Sequence, residues 1–249
     1  MTRRWLVLTA ALVLSASTGN TEPQPRIAII IDDLGYQLEA GRRAIQLPGP
    51  VTFAVLPSTP HGSRLARFAN DRGKEVLLHL PLEAVDRRGP VEPGGITLDM
   101  SRTVFKEAFA EAIETVPFAV GVSSHRGSLL TRHPGHMAWL MQEIGEREDL
   151  FFIDSYTTPD SVALKVAAEV GVVATRRDVF LDHERSVDAV MREFARLKSL
   201  ARRNGQAVAI GHPFPETLEV LERELPLLET EGFEVVTISS LLYREWNPI

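Results

Sequence analysis

Residues 26–35 read Arg26-Ile27-Ala28-Ile29-Ile30-Ile31-Asp32-Asp33-Leu34-Gly35. An unbroken apolar run rich in isoleucine is the pattern of a strand buried on both faces. Two carboxylates follow it at once, and in parallel α/β folds the residues that do chemistry come from the C-terminal ends of strands. The same design returns along the chain. Short apolar runs fall at 51–55, 75–79, 119–122, 150–154, 172–174, 207–210 and 233–238. Amphipathic stretches of helical period lie between them at 62–71, 102–115, 134–145, 161–170, 187–204 and 216–231. Ser101 is placed to cap the helix that follows it, and Gly171, Gly205 and Gly232 are placed to stop helices. Strand–helix alternation implies parallel strands joined by right-handed crossovers. Seven or eight such units predict a closed or nearly closed (β/α) barrel, with an open doubly wound sheet as the second choice. No glycine-rich dinucleotide or P-loop motif follows a strand.

Five of the strand ends carry titratable groups. The first leads into Asp32-Asp33, the third into His79, and the fourth into Ser123-Ser124-His125-Arg126-Gly127-Ser128. The fifth ends in Asp154-Ser155, and the strand at 207–210 leads into Gly211-His212-Pro213. One polar residue after a strand is usually a cap or turn former, and His79 alone would be an ordinary hydrogen-bonded core histidine. Five at one rim point to a site. Successive residues leaving a strand point to opposite sides, so Asp32 and Asp33 are expected to divide the work of base and cation ligand. One carboxylate with two imidazoles and an open position is a standard hydrolytic zinc arrangement. His61, His133, His136 and His183 lie away from strand ends and read as surface or capping residues.

The 249 residues can bury one sizeable core, and a 44% hydrophobic, 24% charged composition excludes disorder and a polytopic membrane protein. Without cysteine there are no disulfides, thiolate ligands or thiol nucleophile. A net charge of −6 disfavours binding to nucleic-acid backbones. Arg3 and Arg4, then an apolar run over 5–14, then Ser15-Ala16-Ser17, have the layout of a secretory signal peptide over 1–17. The run is too short to span a bilayer comfortably. Cleavage would remove two arginines and no acid, taking the charge from −6 to −8. Residues 18–25 read as a linker and 26–249 as one domain working outside the cytoplasm, with the periplasm as the expected compartment. The longest irregular segment, 81–98, has the length of a functional loop.

With these residues in place, the chain resembles the divergent polysaccharide deacetylase family. The resemblance rests on Ile30-Ile31-Asp32-Asp33-Leu34-Gly35, Phe53-Ala54-Val55-Leu56-Pro57, His79-Leu80-Pro81-Leu82-Glu83, Gly121-Val122 through His125 to Gly127-Ser128, Phe151-Phe152-Ile153-Asp154-Ser155 and Ile210-Gly211-His212-Pro213. It implies an irregular (β/α) barrel and a divalent metal, zinc by expectation, used to hydrolyse N- or O-acetyl groups on a polysaccharide. It gives Asp32 the role of catalytic base, Asp33 that of metal ligand, His212 that of general acid and Asp154 that of the acid orienting His212. Ordinary deacetylases carry two metal histidines four apart after the third strand. Here Glu83 stands at that spacing from His79, with Pro81 between them against a helical turn. His125 is therefore the expected third ligand, with Glu83 as the alternative. Ser124 and Arg126 depart from the family's usual loop, and Arg126 is read either as a partner of a rim carboxylate or as solvated. The competing readings are a non-catalytic glycan-binding or envelope-scaffold protein on the same barrel, and a metal hydrolase of another ester or amide.

Overall fold

The computed structural model describes residues 23–86, 92–147 and 150–246. The expected signal peptide and most of the linker lie outside them. Nine strands form one sheet: β1 (Arg26–Leu34), β2 (Thr52–Val55), β3 (Glu75–Leu82), β4 (Ala119–Arg126), β5 (Phe151–Asp154), β6 (Ala174–Arg176), β7 (Val179–Phe180), β8 (Gln206–Gly211) and β9 (Glu234–Val236). Among the described residues eight α-helices accompany them: α1 (Leu38–Ile45), α2 (Gly62–Asn70), α3 (Arg102–Thr115), α4 (Pro134–Gly145), α5 (Ala163–Val170), α6 (Val187–Asn204), α7 (Pro215–Glu224) and α8 (Ile238–Trp246). The strand order is β6-β5-β4-β3-β2-β1-β8-β7, with β9 beside β1, and every pairing is parallel. The sheet curls into an incompletely closed barrel, as the alternation predicts. At its seam the link Arg177-Asp178 crosses between the two edges: Arg177 N–H donates to Asp154 O, and Asp178 N–H donates to Val208 O.

Period-two alternation divides the apolar residues into two cores. Ala28, Ile30, Ala54, Leu77, Phe151, Ile153, Val208 and Ile210 form the inner cluster, together with Ile238, Leu241 and Leu242 of α8. Their strand neighbours, including Ile27, Ile29, Ile31, Phe53, Leu78, Phe152 and Ala209, join the outer cluster with the helices. Burial on both faces is why the strands read as continuous apolar runs. The inner face turns polar as the strands proceed. Continuing the alternation past Ile30, Leu77 and Ile210 gives Asp32, His79 and His212.

Helices α3, α4 and α6 coincide with their expected spans, and the Ser101 hydroxyl accepts from Val104 N–H at the start of α3. Gly171 and Gly205 end α5 and α6 in the left-handed region. Helices α1 and α8 and the short strand β7 were not expected from the pattern; β7 has two residues, too few to show a period. Strand β3 does not stop at His79, nor β4 at Val122. The two continue together to Leu82 and Arg126, in register His79↔Ser123 and Pro81↔His125. Among the described residues no helix is long and apolar enough to cross a membrane.

Candidate metal centre and active site

Register explains how His125 joins His79. Ser123 pairs directly with His79, and His125 lies two residues further along the same face of β4. Asp33 has the wrong parity for the inner face, since Ala28, Ile30 and Asp32 already occupy it. A register irregularity between Ile31 and Leu34, with Asp33 at φ +61°, turns it inward. The two carboxylates therefore do not point to opposite sides, as simple alternation predicts. Both reach His79 Nε2, Asp33 Oδ1 at 3.2 Å and Asp32 Oδ2 at 3.5 Å. Gly35 follows at φ +140°, where a Cβ would lie 2.1 Å from Thr59 Oγ1, so only glycine fits there.

Asp33 Oδ1, His79 Nε2 and His125 Nδ1 form a compact triangle with edges of 3.2, 2.9 and 3.2 Å. A tetrahedral ion with bonds of about 2.0–2.1 Å keeps its ligand atoms about 3.3–3.4 Å apart. The far nitrogen of each imidazole is engaged: His79 Nδ1 lies 2.7 Å from Ser123 Oγ, and His125 Nε2 lies 3.4 Å from Glu92 Oε1. Such partners fix the ring and leave the inward nitrogen free to ligate. Asp33 Oδ1 is buried and faces these two ring nitrogens. An acceptor oxygen facing two imidazole nitrogens is a donor set suited to a divalent cation. Among the described residues this trio is the cluster of carboxylate and imidazole groups that fits an ion. Glu83, the alternative ligand, is not part of it; its Oε2 accepts from Leu98 N–H at 2.8 Å. Arg126 pairs with Glu92 at 3.4 Å and donates to Asp86 O, so it is not simply solvated.

Asp32 and His212 bracket this triangle. Asp32 is 2% exposed, with Oδ1 free of hydrogen bonds, and burial raises its pKa above the ordinary carboxylate value. For Asp33, burial also pushes upward, but hydrogen bonds and charge from His125 and His79 outweigh it and hold the pKa well below that range. His212 Nε2 lies 3.5 Å from Asp33 Oδ2. Burial would lower its pKa, but the hydrogen bond to Asp182 and the charges of Asp33 and Asp182 raise it to about 9.

The acid that orients His212 is Asp182, not Asp154. Asp182 Oδ1 sits 2.9 Å from His212 Nδ1, and its Oδ2 accepts from His212 N–H at 2.6 Å and Thr217 Oγ1 at 2.7 Å. The reason lies in strand order and parity. Asp182 follows β7, which pairs with β8 just before His212. Asp154 follows Ile153, an inner-face residue, and so points outward; it accepts from Tyr156 N–H at 2.8 Å and Ser161 Oγ at 2.6 Å, bracing the turn into α5. Asp182 does carry a signal in the sequence. Val179-Phe180-Leu181-Asp182 is another apolar run ending in a carboxylate.

Arg177 and Glu92 were also not singled out. Arg177 donates to Ser155 O and Tyr156 O across the seam, and burial lowers its pKa against the opposing charges of nearby acids. His61 and His133 precede α2 and α4 without a side-chain cap bond, and His136 packs on Trp139 at 4.7 Å. His183 lies 6.1 Å from Phe180. None of these four enters the trio.

A curled parallel barrel of this kind is also the fold of solved deacetylases. The chain belongs to the divergent polysaccharide deacetylase family, whose model matches residues 29–242. It is 36% identical over 217 residues to the uncharacterized protein YibQ of Escherichia coli K12, spanning 87% of this chain and 67% of that one. The structure of the uncharacterized protein ATU2773 from Agrobacterium tumefaciens C58 superposes with a TM-score of 0.84 at 25% identity, over 89% of this chain and 90% of that one. Wild-type BA3943, a CE4 family pseudoenzyme from Bacillus anthracis, has the same fold at a TM-score of 0.55 and 15% identity, over 88% and 66% of the two chains.

Proposed function

We propose that this protein is a metal-dependent hydrolase that removes acetyl groups from an envelope or extracellular polysaccharide. The observation that carries this reading is the triangle of Asp33, His79 and His125, with the buried Asp32 carboxylate and the His212 imidazole at its sides. A divalent ion, zinc by ligand type, would polarise the acetyl carbonyl and make water acidic enough to ionise near neutral pH. Asp32 takes the proton from the attacking water, a task suited to a carboxylate made more basic by burial. His212 enters the reaction protonated and gives its proton to the departing sugar amine or hydroxyl, while Asp182 holds its Nδ1 and so aims Nε2. Arg177 braces the seam beside the site through its bonds to Ser155 O and Tyr156 O. The signal-peptide pattern over 1–17 supports placing the domain of 26–249 outside the cytoplasm, in the periplasm.

Acetate release from acetylated glycans, measured with metal content, tests this. Asp32→Asn is expected to keep the metal and lose at least about 10²-fold in turnover. Full activity in Asp32→Asn would contradict the base assignment. Metal bound tightly by the wild type with no acetate released from any glycan would favour the glycan-binding reading instead.

A further inference from the structure

We infer that the cavity in front of the metal centre receives a sugar bearing a carboxylate, and that Arg185 is the residue that binds it; this rests on the glycan-deacetylase reading above. The cavity measures about 410 Å³, within the usual range for small-ligand pockets. It is lined by Asp33, His125 and His212 of the site, and also by Tyr36, Phe214 and Arg185. The two arginines in its wall differ. Arg43 is held bidentately by Glu222 at 2.8 and 2.9 Å. Arg185 has no carboxylate within ion-pairing distance among the described residues, and its neighbour Glu184 is paired with Arg192 at 3.5 Å.

Arg185 is nevertheless positioned. Its guanidinium lies 3.9 Å over the ring of Phe214, and that ring stacks on His212 at 5.3 Å. A planar cation is thus held on an aromatic wall beside the general acid, with its donors left for a ligand. The acids of the same cavity are already committed, Asp33 to the two imidazoles and Glu92 to His125 and Arg126, which leaves the Arg185 charge for a ligand. One guanidinium fork matches one carboxylate in shape and charge. A phosphate would bring a second negative charge toward those acids. The exposed ring of Tyr36 at the same cavity gives a sugar a flat apolar face to pack on.

The test compares acetate release from O-acetylated polygalacturonate and from acetylated xylan in the wild type, Arg185→Gln and Arg64→Gln. Arg64 lies on α2, outside this cavity. Arg185→Gln is expected to lower the ratio of kcat/KM for the acidic over the neutral glycan by about 10–100-fold, chiefly through KM. Arg64→Gln should leave that ratio in place. An unchanged ratio in Arg185→Gln, or an equal drop in Arg64→Gln, would overturn the inference. Should the wild type release acetate from neither glycan, calorimetry still decides this inference. Unacetylated oligogalacturonate should bind zinc-loaded Asp32→Asn and bind Asp32→Asn/Arg185→Gln about 10–100-fold more weakly. Equal affinities, or no binding, would refute it.

Discussion

At the scale of single residues, the Asp182–His212 pair has a consequence for stability that does not depend on turnover. The folded pKa of His212, about 9, lies above its ordinary 6.5. A group raised in this way stabilises the fold fully below pH 6.5 and loses that contribution as pH rises through 9. The shift corresponds to roughly 3 kcal/mol at about 1.4 kcal/mol per unit. In chelator-treated protein, urea midpoints should therefore fall between pH 6.5 and 9, and His212→Asn should flatten that slope. Equal slopes would mean that His212 is not held charged. The two acids also separate in kinetics: Asp182→Asn should cut kcat by at least about tenfold, whereas Asp154→Asn should chiefly loosen the turn into α5 and leave the pH profile of kcat in place. Asp32, His79 and His212 were legible in the sequence because they continue an alternation that the apolar residues had already set. Asp154 was misread because it breaks that alternation, one residue past Ile153. Asp182 was missed because the two-residue β7 hides its own run, and Glu92 because it lies in a long loop with no period to read.

Among the elements, β1 does the most to shape the site. A uniform strand would send Asp33 outward, and its left-handed φ of +61° costs on the order of 1–3 kcal/mol, which the surrounding packing must offset. Gly35 lets the chain leave this bend against Thr59. Gly35→Ala should therefore destabilise the protein by more than ~1 kcal/mol and weaken metal uptake, as read by denaturation and metal titration. Wild-type stability and affinity in that variant would show that the bend tolerates a side chain. Such an irregularity has no period, so the sequence showed the pair of carboxylates without showing where they aim. The extension of β3 and β4 past their apolar runs was hidden for a similar reason: His79-Leu80-Pro81-Leu82 and Ser123-Ser124-His125-Arg126 are polar or proline-containing, yet they pair in register through Leu82 and Arg126.

For the whole molecule, the alternation of strands and helices was enough to fix a parallel barrel, because buried parallel strands and amphipathic helices carry different periods. The place of its seam was not visible, since it depends on how Arg177-Asp178 crosses between two edges. The barrel is apolar below, where α8 contributes Ile238, Leu241 and Leu242, and polar above, where strand ends deliver the trio. An ion held by β1, β3 and β4 together would tie three strands, and so would bind the folded state and stabilise it by about 2.7 kcal/mol at a hundredfold excess over its dissociation constant. Calorimetric titration of zinc into chelator-treated protein tests this arrangement most directly. One ion per chain should bind the wild type and Glu83→Gln alike, and His125→Ala should bind at least about 10²-fold more weakly. No uptake by the wild type, or undiminished affinity in His125→Ala, would contradict it.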